Sequence, residues 1–159
     1  MKNNGFTLIE ALFAILLVGL AIASLMGANT SFTRSNGAGA ELSTAEFLLE
    51  QVKELTATLP VSDPQATTWT TFGPEEASLA AYDDLDDFDG ASFSPPISAG
   101  RASLADFAAF TQQVTVQNVS ASNFGLVVAD RSTAFVRVTV RVLHNSAEIS
   151  SASWIRARY

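Results

Sequence analysis

The chain of 159 residues contains no cysteine. That excludes a disulfide framework, thiol catalysis and cysteine-ligated metal, and it leaves the redox compartment open. Basic residues are scarce, with 9 Lys and Arg against 16 Asp and Glu and a net charge of −7, so nothing points to nucleic acid or another polyanion as partner. Proline is missing before Pro60, and all five prolines (60, 64, 74, 95 and 96) fall within residues 60–106. Internal repeats and low-complexity tracts are absent. Charge is missing altogether from Ala11 to Ala28, where Ser24 is the single polar side chain. A helix over those 18 residues would be about 27 Å long, close to the ~30 Å hydrocarbon thickness of a bilayer. Counted from Phe6 the run is 23 residues, enough to span with some tilt. The soluble remainder, roughly residues 35–159, is long enough for one modest core.

The amino-terminal segment admits three readings. As a secretory signal peptide it has Lys2 as its positive end and Ala21-Ile22-Ala23 as a small-residue cleavage site before Ser24. As a plain membrane anchor it is oriented by Lys2 with its amino terminus inside. Both readings must accommodate Glu10, at a cost of about 2.5–3.5 kcal/mol if the carboxylate reaches the centre of a spanning helix. Neither gives Gly5 a purpose. The third reading uses both residues. The stretch Gly5-Phe6-Thr7-Leu8-Ile9-Glu10, with a single apolar helix directly after it, resembles the processing signal of type IV pilins and of the pseudopilins of type II secretion.

The resemblance implies cleavage between Gly5 and Phe6 by a prepilin peptidase, and N-methylation of the new amino-terminal Phe6 by the same peptidase/methyltransferase. The cut lies on the cytoplasmic side, so the apolar helix is retained. It further implies that Phe6 and Glu10 act in assembly. A carboxylate buried among packed helices is costly alone, and pairing with an opposite charge offsets much of that cost. The amine of Phe6 on a neighbouring subunit is the charge the family supplies. One departure stands out: many pilins carry a proline partway along the apolar helix, where this chain has only Gly19 and Gly27 as weak points.

Beyond Ala28 the pattern turns polar, and Asn36-Gly37 with Gly39 predicts a kink or short break. Helical spacing returns with Leu42, Ala45, Leu48, Leu49, Val52, Leu55 and Leu59 on one face, and Ser43 with Glu46 fits a capping box should the helix restart there. Pro60 closes it, since the residue before a proline avoids the helical region. Residues 60–106 read as a connecting region, too long to lack local structure. Strand-like runs come next at about 107–119, at Phe124–Asp130, and most clearly at 134–143. There Val136, Val138, Val140 and Val142 share one face and Arg137, Thr139 and Arg141 the other. His144-Asn145-Ser146 reads as a turn into a returning strand from Glu148 to Arg158.

Chemistry is sparse. "YDDLDDFDG", residues 82–90, places Asp83, Asp84, Asp86, Asp87 and Asp89 within seven residues. Their mutual repulsion would be relieved by a hard cation such as calcium. The EF-hand template fails here: with its glycine on Gly90, Leu85 falls at the first ligand position and Pro96 at the twelfth. The plainer expectation is a solvated acidic loop. Similar Asp-rich loops occur in some minor pilins of the mannose-sensitive haemagglutinin type, and on that likeness a minor subunit is expected. The one histidine, His144, sits at a predicted hairpin tip, exposed and without an evident acid partner, so nucleophilic catalysis is poorly supported. Arg137, Arg141, Arg156 and Arg158 make a basic strip on a solvated sheet face, or ion pairs across a subunit interface.

These readings converge on an α+β protein, a long amino-terminal helix packed on a carboxy-terminal antiparallel sheet. The expected divisions are a leader at 1–5, a transmembrane and assembly helix at 6–28, an amphipathic helix at 29–59, and a head at 60–159. Within the head, 60–106 connects and 107–159 forms the sheet. The expected role is a non-enzymatic structural subunit, requiring no cofactor, of a type IV pilus or type II secretion pseudopilus. It would insert singly in the bacterial inner membrane with the amino terminus cytoplasmic and the head periplasmic or extracellular. Its partners would be other subunits and an inner-membrane assembly platform. The alternative is a single-pass anchored binding module, holding calcium or another ligand, without filament assembly. An anchored hydrolase is the least supported option.

Overall fold

A computed structural model describes residues 5–63 and 72–158; Lys2 and the rest of residues 1–4 of the expected leader, and Pro64 in the connecting region, lie outside the described residues. One helix, α1, runs Leu8–Ala57 without interruption. Five short to medium strands come after it: β1 (Ser92–Phe93), β2 (Phe110–Ser120), β3 (Asn123–Val127), β4 (Phe135–His144) and β5 (Ala147–Ala157). The layout is the expected α+β one. The chain divides into two compact units, Met1–Ala40 and Glu41–Tyr159.

In the first unit every described residue is exposed. The helix there has an 18-residue window of mean hydropathy 2.5, long and apolar enough to cross a membrane. Its few polar side chains satisfy themselves: the hydroxyls of Ser24, Thr30 and Thr33 donate to the carbonyls of Leu20, Met26 and Asn29 one turn back. The break expected at residues 36–39 does not occur. Glycine weakens a helix by about 1 kcal/mol each relative to alanine but leaves every backbone N–H in place, whereas proline would remove one.

The second unit is organised by two periodicities meeting. Along α1, Ala45, Leu48, Leu49, Val52 and Leu55 are buried, while Glu46, Glu50, Lys53 and Glu54 stay exposed. Val136, Val138, Val140 and Val142 of β4 alternate with less buried residues and join that stripe in a single core with Val114 and Val116 of β2. Leu42, at the top of the expected stripe, remains exposed. The helix ends at Ala57, ahead of Pro60 as predicted.

The sheet is antiparallel, in the order β1-β2-β4-β5, with β3 also paired to β2. Its register sets Val114 opposite Val140 and Val116 opposite Val138. The β4–β5 turn has only two residues, Asn145 and Ser146, at φ 49° and 69°. Positive φ at both central positions is the geometry that matches strand twist in a tight hairpin, and asparagine tolerates it well. The first long strand begins at Phe110 rather than 107 because Ala105–Phe107 form a 3-10 turn. The connecting region is pinned by two side-chain amides, one of them fully buried. Gln112, on the core face of β2, donates to the carbonyls of Leu48 and Ile97 at 2.7 and 3.1 Å and accepts from the Ile97 N–H. Gln51 accepts from the Ala99 N–H.

The expected basic strip does not form as a unit. Arg156 stands opposite Val136, and directly opposed residues share a face, so it lies on the core side. Its guanidinium donates to the carbonyls of Thr56, Ala57 and Leu59 at 2.8–3.0 Å. The first two are orphan acceptors at the end of a helix whose last turn has no basic residue of its own. Arg141 pairs with Glu148 at 2.5 Å, and Arg137 donates to the Gln117 side chain.

Candidate functional site

Two places carry chemistry. The first is the start of α1. Gly5 and Phe6 precede the helix, and Phe6 is 82% exposed. Thr7 is the residue before the first helical one, and the Glu10 Oε2 accepts both the Thr7 N–H at 2.9 Å and its hydroxyl at 2.7 Å. The Glu10 N–H in turn reaches Thr7 Oγ1 at 3.4 Å. This is a capping box, with threonine and glutamate three apart satisfying each other's donors. Sequence reasoning missed this pairing, although the Thr7-x-x-Glu10 spacing carries its signal. The condition for a box at Ser43 and Glu46, a restart of the helix there, is not met, because the helix is already under way and has no free end to cap. Within the single chain, then, one oxygen of Glu10 closes the helix start. Leu8, Ile9, Ile15 and Leu25, further along, are all more than 60% exposed, and no described residue covers them.

The second place is the acidic loop, which is not solvated as the sequence suggested. Asp84 and Asp86 are 1% exposed and Asp87 is 0% exposed. The cause is local. Leu85 and Phe88 alternate with the acids and are wholly buried in the core, and the 3-10 turn Asp86–Phe88 carries the carboxylates under with them. Tyr82 packs edge-on to Phe88 at 5.1 Å. The loop is tied by its own carboxylates. Asp87 Oδ2 accepts from the backbone N–H of Asp83 and Asp84, and Asp84 Oδ1 accepts from that of Asp87. Asp86 Oδ2 accepts at 3.4 Å from Gly73, whose φ of +104° is open to glycine without strain. Asp89 turns away, and its Oδ1 accepts the Val116 N–H at 2.8 Å, anchoring the loop to β2.

Glu75 and Glu76, which sequence reasoning missed, join the group. Three overlapping triads (Glu75, Glu76 and Asp87; Glu75, Asp84 and Asp86; Asp83, Asp84 and Asp87) each bring their ligand oxygens within 4.8 Å of one another. Asp89 is in none of them. Burial pushes the Asp84 carboxyl up to about 8 and the Asp86 carboxyl up to about 6. A hydrogen bond with Asp87, then burial, raises Glu76 to about 7. Glu75 is raised mainly by burial and further by Asp84 and Asp87. All of these shifts say that negative charge is unwelcome here unless something positive accompanies it. The nearby cation does not serve: the Arg101 guanidinium donates to the carbonyls of Leu79, Ala80 and Tyr82 instead.

His144 closes β4 rather than standing free at the tip. Its ring stacks on Phe110 at 4.5 Å, and Nδ1 lies 3.6 Å from Glu41 Oε2. Glu41 is 103 positions earlier in sequence, beyond the reach of any local pattern. Among the described residues no hydroxyl nucleophile is hydrogen-bonded to His144, whose contacts are with Phe110, Glu41 and Asn145.

Residues 1–26 match the family model described as the prokaryotic N-terminal methylation motif. Neither a curated protein nor a solved structure matches the chain.

Proposed function

We propose that this type IV pilin-like chain is a structural subunit of a pilus or secretion pseudopilus, matured by cleavage between Gly5 and Phe6 and N-methylation of Phe6. A methylation motif running into a fully exposed apolar helix is the observation that carries this reading. Such a surface must be covered by something outside the chain, lipid before assembly and neighbouring helices after it. Glu10 suits both states. Near the interface its carboxylate caps its own helix through Oε2. In a packed bundle Oε1 would meet the new Phe6 amine of a neighbour, giving the buried charge a partner. In this reading the peptidase/methyltransferase, the other subunits and an inner-membrane assembly platform are the partners. Lys2 keeps the amino terminus cytoplasmic, and the head lies outside. The subunit would be a minor one and would carry no enzymatic activity.

Mass spectrometry of the membrane-extracted protein tests the maturation step. A chain beginning at methylated Phe6 is expected. An intact Met1 would replace this reading with an anchored binding module, and a start at Ser24 would replace it with a cleaved signal peptide.

A further inference from the structure

The buried acids share a division of labour. Asp84, Asp86 and Asp87 each spend one carboxylate oxygen on backbone N–H groups of the loop. With the acids ionised, the other oxygen of each (Asp84 Oδ2, Asp86 Oδ1 and Asp87 Oδ1) is buried with no donor among the described residues, as is Glu76 Oε2. Only a proton shared between two carboxyls, as between Glu76 and Asp87, would give one a partner. The three aspartate oxygens belong to side chains at least 99% removed from solvent. An unsatisfied polar atom at such depth costs about 1–3 kcal/mol even when neutral, and more when charged, so native structures rarely keep one. Here their residues fall in three overlapping triads, each with one ligand oxygen per residue within 4.8 Å of the others. Asp84 shares one with Asp86 and Glu75 and another with Asp83 and Asp87, and Asp87 shares the third with Glu75 and Glu76. Oxygens on a shared calcium ion, each 2.3–2.6 Å from it, lie at most about 5 Å apart. No ion pair among the described residues involves Asp84, Asp86 or Asp87.

We infer that the loop from Gly73 to Asp89 is a calcium site centred on Asp84, which groups with Asp86 and Glu75 in one triad and with Asp87 in another, while Glu75 and Glu76 close it from the solvent side. Hydrogen bonds to one oxygen of each aspartate orient the other, which is how ligating carboxylates are usually held. The irregular, carboxylate-rich set suits calcium, which takes 6–8 oxygens in flexible geometry, better than magnesium, which demands a near-ideal octahedron and keeps its waters. Bound there, the ion would tie the segment at Glu75 and Glu76 to the 3-10 turn and, through Asp89, to β2. The site lies wholly within the 41–159 unit and stands whether or not the chain assembles.

Isothermal titration of the chelator-stripped full chain in detergent, with calcium chloride and then magnesium chloride, tests it. Calcium should bind with Kd on the order of 10⁻⁵–10⁻⁴ M, at least tenfold more tightly than magnesium. At roughly 100 times Kd it should raise the thermal midpoint of the head by roughly 10 °C. D84N/D87N keeps the oxygens that accept the loop's N–H groups and should weaken calcium at least tenfold. D89N, at an acid outside the triads, should leave the affinity within about twofold. If the folded wild-type chain shows neither binding heat nor a midpoint shift, the acids share protons instead and the site does not exist. Equal weakening by D89N and D84N/D87N would overturn the ligand assignment. Should D84N/D87N fail to fold, the wild-type titration and D89N still decide.

Discussion

The two stretches of α1 are made of similar apolar residues and meet opposite fates. From Leu8 to Ala40 every side chain is exposed, Leu16 at 54% and Leu25 at 72%. From Ala45 to Leu55 the apolar positions recur three or four apart, and the sheet covers them almost completely. The difference is in the polar faces, not in hydrophobicity as such. A stripe bounded by Glu46, Glu50 and Lys53 can be buried by one partner surface from the same chain. An all-round apolar rod needs a surrounding, which a single head cannot supply. One helix therefore belongs half to a fold and half to an environment.

Replacing Glu10 with alanine should break that contrast most severely. Filament yield, scored by shearing and electron microscopy, should fall more than tenfold while the thermal midpoint of the head stays where it was. Filaments at wild-type yield would remove the charge-pairing role. A matched pair of truncations sharpens the comparison next. L48A should destabilise the head by about 2–5 kcal/mol, as deletion of fully buried leucines does. L16A should leave head stability unchanged, its cost falling on assembly alone. Equal losses in thermal unfolding of the two variants would mean that the amino-terminal stretch has a partner within the chain.

The smallest effect concerns Arg141 and Glu148, on the solvent side of the sheet. The Arg141 hydrogen bond, then that of Ser151, holds the Glu148 carboxyl below its ordinary 4.5. A lowered folded pKa gives stability that is present above the unfolded value and is lost as pH falls through the folded one. The difference in midpoint between wild type and E148Q should thus be constant above about pH 5 and vanish below the folded pKa. Both partners are substantially exposed, so the difference should be small and should shrink with salt. A difference unchanged from pH 7 to pH 3 would show that the pair contributes through something other than charge.

Legibility in the sequence tracked the range of interaction. The valine alternation of β4, the leucine stripe, the stop before Pro60 and the carboxylate after Gly5 are local patterns, and each was readable. The burial of Asp84, Asp86 and Asp87 was not. A run of charged side chains argued for solvent, whereas Leu85 and Phe88 among them decided for the core. Glu75 and Glu76 reach the group only because the chain folds back at Gly73. Arg156 looked like part of a surface strip until register placed it opposite Val136 and within reach of the helix end.

The sequence alone determined that this chain has an oily rod with a carboxylate near its start, an amphipathic continuation, and strands of period two. Those properties reside in runs of consecutive residues, and the spacing of side chains along a helix or strand is set by backbone geometry. Tertiary structure alone decided which acids lie buried together, which arginine closes the helix and which carboxylate meets His144. Those are choices between groups tens of residues apart, made when strand register and core packing bring distant segments within a few ångströms.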